Sequence, residues 1–205
     1  NFIAVLERIP RDGGDRRSAR QRLWQIRAKH VVLATGAHER PLVFADNDRP
    51  GIMLAGAAAT YVNRYAVVPG RRAVFATNND SAYDAALALA AAGVEIAAIV
   101  DLRRNPNGKS AATAATLGIQ VLPGHAVIGA AGRKRVSGVT VAELNADGTA
   151  GRPRQLACDL LAMSGGWSPV VHLFSQSQGR LRYDEDRCAF LPDRAIQAQT
   201  CAGAL

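Results

Sequence analysis

The chain has 205 residues, 48% apolar and only 5% aromatic, with 25 Lys and Arg against 17 Asp and Glu, a formal charge of +8. That length holds one or two ordinary domains with a real core, and no apolar run reaches the roughly 18 residues a membrane span needs. The arginines lie mostly beside turns, at 8, 11, 16, 17, 20 and 22, at 103 and 104, at 133 and 135, and at 180, 182 and 187. With almost no aromatics among them they do not form the stripe of a nucleic-acid binder, and they suit solvated turns, an acidic neighbouring subunit or phosphate-bearing cofactors. Cys158, Cys188 and Cys201 lie far apart, with no C-x-x-C pair and no zinc-type cluster. They read as reduced thiols of a cytoplasmic protein and argue against a disulfide-reducing flavoenzyme.

In chain order, Phe2 to Arg8 reads as a strand, Asp12-Gly13-Gly14-Asp15 as a turn, and Arg22 to Arg27 as a half-buried returning strand. His30 to Gly36 follows as a short run buried on both faces that ends in small residues. After Gly51 a helix is expected, with Met53, Leu54, Ala57, Tyr61 and Tyr65 forming a packing face. Arg71 to Ala76 is a strand, Thr77 to Ser81 a capping turn, and Ala82 to Ala92 a helix stopped by Gly93. Val94 to Val100 is the next strand, with Asp101 at its carboxyl end. A second helix around Ser110 to Leu117 leads through Gly118 to a strand at Ile119 to Leu122. Strand, helix, strand, helix, strand predicts a doubly wound parallel sheet. Arg135 to Leu144, a turn at Asn145 to Gly148, a strand reaching Leu156, and the run from Asp159 to Pro169 then repeat the opening phrase.

A hairpin followed by a buried strand with a small-residue exit occurs twice, so two related domains are expected. This organisation resembles flavoproteins with paired dinucleotide-binding domains of the FAD/NAD(P)-reductase type, one inserted in the other. The expected division is an outer domain from 1–69 and 157–205 and an inserted domain at 70–156, both chain ends reading as cut. In the inserted domain the G-x-G-x-x-G template falls on Thr77, Asn79 and Ala82. Ala82 is tolerated, but the other two side chains occupy pyrophosphate space, while Asp101 is placed for a ribose hydroxyl. In the outer domain the resemblance puts Ala34-Thr35-Gly36, and Gly203 near the end, beside a dinucleotide. Ala204 stands where an Asp acceptor belongs. His38 in the A-H-E-R-P exit is a candidate contact to cofactor or substrate, and Trp167, which otherwise reads as a packing residue, is a candidate for cofactor proximity. His30, His125 and His172 read as surface or packing residues. Nothing suggests a catalytic triad, metal cluster or paired-carboxylate hydrolase.

The stretch V-V-L-A-T-G-A-H-E-R-P-L-V-F-A-D-N-D-R-P-G-I-M-L-A-G-A, from Val31 to Ala57, is more specific than a fold signature. With Thr77 to Tyr83 and Asp159 to Pro169, it is similar to the alpha subunits of heterotetrameric sarcosine oxidases. The resemblance implies a hetero-oligomer that converts sarcosine, oxygen and tetrahydrofolate to glycine, hydrogen peroxide and methylenetetrahydrofolate. It places FAD and FMN in the assembly, amine oxidation in another subunit, and tetrahydrofolate in a domain absent here. It implies NAD in the alpha subunit, held here through Ala34, Thr35, Gly36 and Gly203, with no catalytic residue in this stretch. Glu39 and Arg40 either orient the cofactor or pair across a domain junction. A-T-G-A-x-E-R-P also occurs in opine oxidase and hydrogen cyanide synthase subunits, so a subunit of a related opine, proline or cyanide-forming dehydrogenase remains an alternative, as does a scaffold that has lost its nucleotide site.

Overall fold

The computed structural model describes residues 2–9 and 19–204. The turn expected at Asp12 to Asp15, with Arg11, Arg16 and Arg17, lies outside the described residues. The strands run β1 Phe2–Arg8, β2 Gln21–Arg27, β3 Val31–Leu33, β4 Ala37–Glu39 and β5 Ile52–Leu54, followed by helix α1 Ala55–Tyr65. Next come β6 Arg72–Thr77, α2 Ser81–Ala91, β7 Glu95–Asp101, α3 Lys109–Thr116, β8 Val121–Pro123, β9 His125–Ala131, β10 Gly138–Glu143 and β11 Arg154–Ala157. The chain ends with β12 Leu160–Ser164, β13 Trp167–Pro169, α4 His172–Gln176, β14 Arg180–Asp184, β15 Ala189–Arg194 and β16 Gln199–Cys201. Among the described residues no helix is long and apolar enough to cross a membrane.

The chain divides into an outer unit of residues 1–38 and 168–205 and an inner unit of residues 39–167. This inner unit is wider than the expected 70–156. Strands β5 and β12, expected in the outer domain, hydrogen-bond in parallel within the inner sheet, whose order is β5-β12-β6-β7-β8. Ile52 pairs with Leu161 and Ala162 with Phe75, contacts that close over more than eighty residues of sequence.

The inner sheet is α/β and parallel but not doubly wound. From β6 through α2 to β7, and through α3 to β8, the order advances in one direction. Right-handed crossovers then place the helices on one face. Ala55, Ala58, Ala82, Tyr83, Ala86, Leu89, Ala111 and Ala114 pack there against Phe75, Ile99 and Leu160. The opposite face is covered by the antiparallel sheet β11-β10-β9, where Val127, Val139 and Val141, with Val136 of the β9–β10 connection, meet Val74, Val100 and Leu161. Both faces are buried, as a parallel sheet requires. Alanines let α1 and α2 approach closely, and this corrects the expected face of α1. Ala55 and Ala58 are its buried residues, Met53 and Leu54 belong to β5, and Tyr61 and Tyr65 are exposed. Gly93 and Gly118 take φ of +86° and +72° and stop α2 and α3 as expected.

In the outer unit β1 and β2 form a hairpin from Phe2↔Arg27 to Arg8↔Gln21. Strands β14 and β15 form another, and β3 pairs in parallel with β16. Only Leu33 of β3 is buried, and Val32 is 63% exposed. The expectation of a run buried on both faces therefore fails for this strand, which pairs among the described residues only with β16. The expected repeat is visible as β1-β2 followed by β3, and as β10-β11 followed by the wholly buried β12.

Candidate functional site

Ligands of open α/β sheets lie beyond the carboxyl ends of the strands. In the outer unit those ends are Ala34-Thr35-Gly36 after β3 and Ala202-Gly203 after β16. The Ala202 N–H donates to the Leu33 carbonyl at 2.9 Å, which brings the two exits side by side. Gly36 has φ +70° and Gly203 φ +83°, the left-handed region that favours glycine. A Cβ placed on either meets nothing within 4 Å. Thr35 Oγ1 donates to the Val170 carbonyl at 2.7 Å and the Val170 N–H to the Gly36 carbonyl at 2.9 Å, so the turn is clamped at both residues. Ala34 and His38 are exposed. Small residues and open space at two adjacent strand ends fit the close approach of a dinucleotide backbone. Ala204 supplies no side-chain acceptor.

The corresponding place in the inner unit is built differently. Thr77, at the end of β6, is fully buried; its Oγ1 accepts the Asn79 N–H at 3.1 Å and donates to the Asn79 carbonyl at 3.0 Å. The Asn79 amide donates to Ser164 Oγ and to the Ser164 carbonyl at 3.0 and 3.1 Å. Its Oδ1 accepts the Ser81 N–H at 3.1 Å and the Ser81 hydroxyl at 2.6 Å. Trp167 Nε1 donates to Ser81 Oγ at 2.9 Å, which gives the indole a structural contact beside the turn. The turn thus satisfies its own polar groups at the N-terminus of α2, where a phosphate would need them.

Asp101, at the end of β7, is fully buried. Its carboxylate accepts the Tyr83 hydroxyl at 2.8 Å and, from Arg103, the backbone N–H at 2.8 Å, Nε at 3.1 Å and Nη2 at 2.8 Å. Arg103 Nη2 also pairs with Asp80 Oδ1 at 2.8 Å. Burial, and then the bond to Asp101, push the Tyr83 hydroxyl well above its ordinary value. The Asp101 bond likewise raises the Arg103 guanidinium against the opposing effect of burial. The ribose acceptor predicted from the sequence is in place along the chain but already occupied, and the residues of this inner turn do not fit a dinucleotide.

Glu39 and Arg40 belong to the inner unit. Glu39 Oε2 accepts the Gly56 N–H at 2.9 Å in the first turn of α1, a favourable position for a carboxylate. Arg40 pairs through its backbone with Gly165 and Gly166 at 2.6 and 2.8 Å, and its guanidinium lies where a Gly166 Cβ would stand. His30 Nε2 lies 3.2 Å from Thr200 Oγ1, and His125 Nδ1 2.8 Å from the Pro123 carbonyl. Cys158 is buried, and burial, then Asp159, push its thiol up to about 11, away from reactivity. The described residues hold no group of three or more His, Cys, Asp or Glu able to bind a metal. Sequence reasoning did not find Tyr83, Arg103 and Ser164; the only available signal was an arginine two residues after the acid.

No family model matches the chain. Over its full length it is 46% identical to the sarcosine oxidase alpha subunit of Corynebacterium sp. (strain P-1), and it spans 22% of that relative's length. The structure resembles T. acidophilum thioredoxin reductase with a TM-score of 0.67, at 18% identity over 88% of this chain and 58% of that one. It also resembles L-proline dehydrogenase from P. horikoshii with a TM-score of 0.60, at 24% identity over 89% of this chain and 31% of that one. These likenesses establish the paired dinucleotide-binding fold.

Proposed function

Starting from matches to sarcosine oxidase alpha subunits that cover 89 to 100% of the chain, we propose that it is the nucleotide-bearing stretch of such a subunit in a flavin-dependent amine oxidoreductase. In this reading the assembly oxidises sarcosine with oxygen and tetrahydrofolate to glycine, hydrogen peroxide and methylenetetrahydrofolate. FAD and FMN in the assembled enzyme would supply the redox chemistry, with amine oxidation in another subunit and tetrahydrofolate bound in another domain. This stretch carries no catalytic residue. Ala34, Thr35, Gly36 and Gly203 hold NAD, with His38 beside the turn; when bound, NAD adds a redox-capable nicotinamide and an adenine anchor. Thr35 positions the turn by clamping it to Val170. Glu39 Oε2 holds the first turn of α1 and the Arg40 backbone pairs with Gly165 and Gly166, which supports the inner unit beside the turn.

The observation that carries the nucleotide assignment is the pair of open, left-handed glycines at adjacent parallel strand ends. The scattered thiols argue against the disulfide chemistry of the thioredoxin reductase that shares the fold. A subunit of an opine or proline dehydrogenase or a cyanide synthase is less favoured, because the 46% match over the full length of the chain is to a sarcosine oxidase alpha subunit. A scaffold without any nucleotide is favoured only by Ala204 and the occupied inner turn. The test is a substrate panel on the complete subunit purified with its partners, following hydrogen peroxide and electron transfer to a dye. Turnover of sarcosine above proline and opines is expected. Preference for proline or an opine would overturn the reading.

A further inference from the structure

A working dinucleotide cleft needs three things left open: the first βα turn for the pyrophosphate, the N-terminus of the following helix, and the acid after the second strand for the ribose. In the inner unit the chain fills all three with its own side chains. Asn79 spans from the turn to Ser164 on β12 and to Ser81 at the start of α2. Asp80 reaches across to the start of α3, where a Cβ on Gly108 would lie 2.5 Å from its Oδ2. Arg103 ties the two ends together, one guanidinium nitrogen lying 2.8 Å from both Asp80 and Asp101. Ser110 Oγ donates to Asp84 across α2 and α3 on the same side of the sheet.

We propose that the inner nucleotide cleft is closed to dinucleotides and that Arg103 stands in it as a built-in cation, binding the carboxylate that would otherwise receive the ribose. The inner unit then serves as a rigid mount rather than as a nucleotide site. An arginine near this acid can instead accept the 2′-phosphate of NADPH. Here its Nε and Nη2 are both committed to Asp101, and a phosphate drawn to it would face the fully buried Asp101 carboxylate. The inference does not depend on NAD occupying the outer site.

The experiment is hydrogen exchange with mass spectrometry on the complete subunit with its partners, alone and with saturating NADH or NADPH. Exchange in segments 77–83 and 101–108 is expected to stay within about twofold in both additions. Protection of both segments by either nucleotide would overturn the closed cleft. Protection confined to 33–38 and 200–204 supports both the closed cleft and the outer site; no protection anywhere sinks the outer site and leaves the cleft closed. Arg103→Ala, without nucleotide, is expected to speed exchange in 77–83 and 98–104 at least tenfold. Unchanged rates there would overturn the role given to Arg103.

Discussion

Replacing Arg103 by Ala removes two charge-assisted bonds, from Nε at 3.1 Å and Nη2 at 2.8 Å, and the cation paired with a carboxylate that has no exposed surface. Asp101 keeps the Tyr83 hydroxyl and the backbone N–H of residue 103. Breaking one partner out of a buried pair costs about 3–5 kcal/mol. The Arg103 side chain is 32% exposed, so water replaces part of what is lost. With two donors remaining, the expected cost is about 2–3 kcal/mol. At about 1.4 kcal/mol per decade this lowers the protection of β6 and β7 amides by roughly 30- to 140-fold. Native-state hydrogen exchange on the complete subunit reads this locally, where a global melt would mix several domains. Arg104→Ala is the control, since Arg104 makes one exposed bond to the Leu144 carbonyl. Its cost is expected below about 1 kcal/mol. If Arg103→Ala cost no more than Arg104→Ala, the buried-pair reasoning would be refuted.

Tyr83→Phe removes a donor to Asp101 and is expected to cost about 1.5–3 kcal/mol by the same exchange measurement. The folded Tyr83 hydroxyl titrates above its unfolded value of about 10, so its contribution is complete below that pH and lost as pH rises through the folded value. Stability should therefore fall in strong alkali in the wild type, with a shallower slope in Tyr83→Phe. Burial opposes ionisation of Asp159, but the N–H groups of Arg72 and Arg71 and the charge of Arg135 outweigh it and hold the carboxyl below its ordinary value. Its contribution is present above about pH 4 and lost as pH falls through the folded value, so Asp159→Asn should flatten the acid limb of an unfolding profile. Leu161→Ala, at a fully buried position between β5 and β6, should cost about 2–5 kcal/mol, read from exchange of β12 and β6 amides.

The run from β6 to β8 was legible because local chemistry agrees with the fold: alternating apolar strands, alanine-rich helices and glycine stops at Gly93 and Gly118. Strand β9, with the sequence HAVIGAA, carries no alternation and becomes a strand through its pairing with β10 and a bridge to Ala45. The three residues of β5 read as the start of α1 for the same reason, since their partners in β12 lie more than a hundred residues away. Membership of β5 and β12 in the inner unit is a property of long-range hydrogen bonding, invisible to composition. At the outer strand ends, Gly36 and Gly203 announced themselves by type, because an open left-handed turn selects glycine. In the inner cleft the sequence showed the non-glycine turn and the acid at the correct spacing. It could not show the acid's occupant, because Asp101 followed by Arg103 looks the same whether the guanidinium faces solvent or its neighbour.

Identifying the small molecules released by denaturing the complete subunit, purified with its partners, in wild type and in Gly36→Trp tests whether the outer strand ends hold the nucleotide. Substitution at φ +70° carries strain of about 1–2 kcal/mol, and nothing lies within 4 Å of the Cβ direction, so the variant should remain folded with an indole standing in the nucleotide's path. NAD is expected from the wild type and none from a variant whose hydrogen exchange is otherwise unchanged. NAD retained by the folded variant would place the nucleotide elsewhere and contradict the assignment to Ala34, Thr35, Gly36 and Gly203.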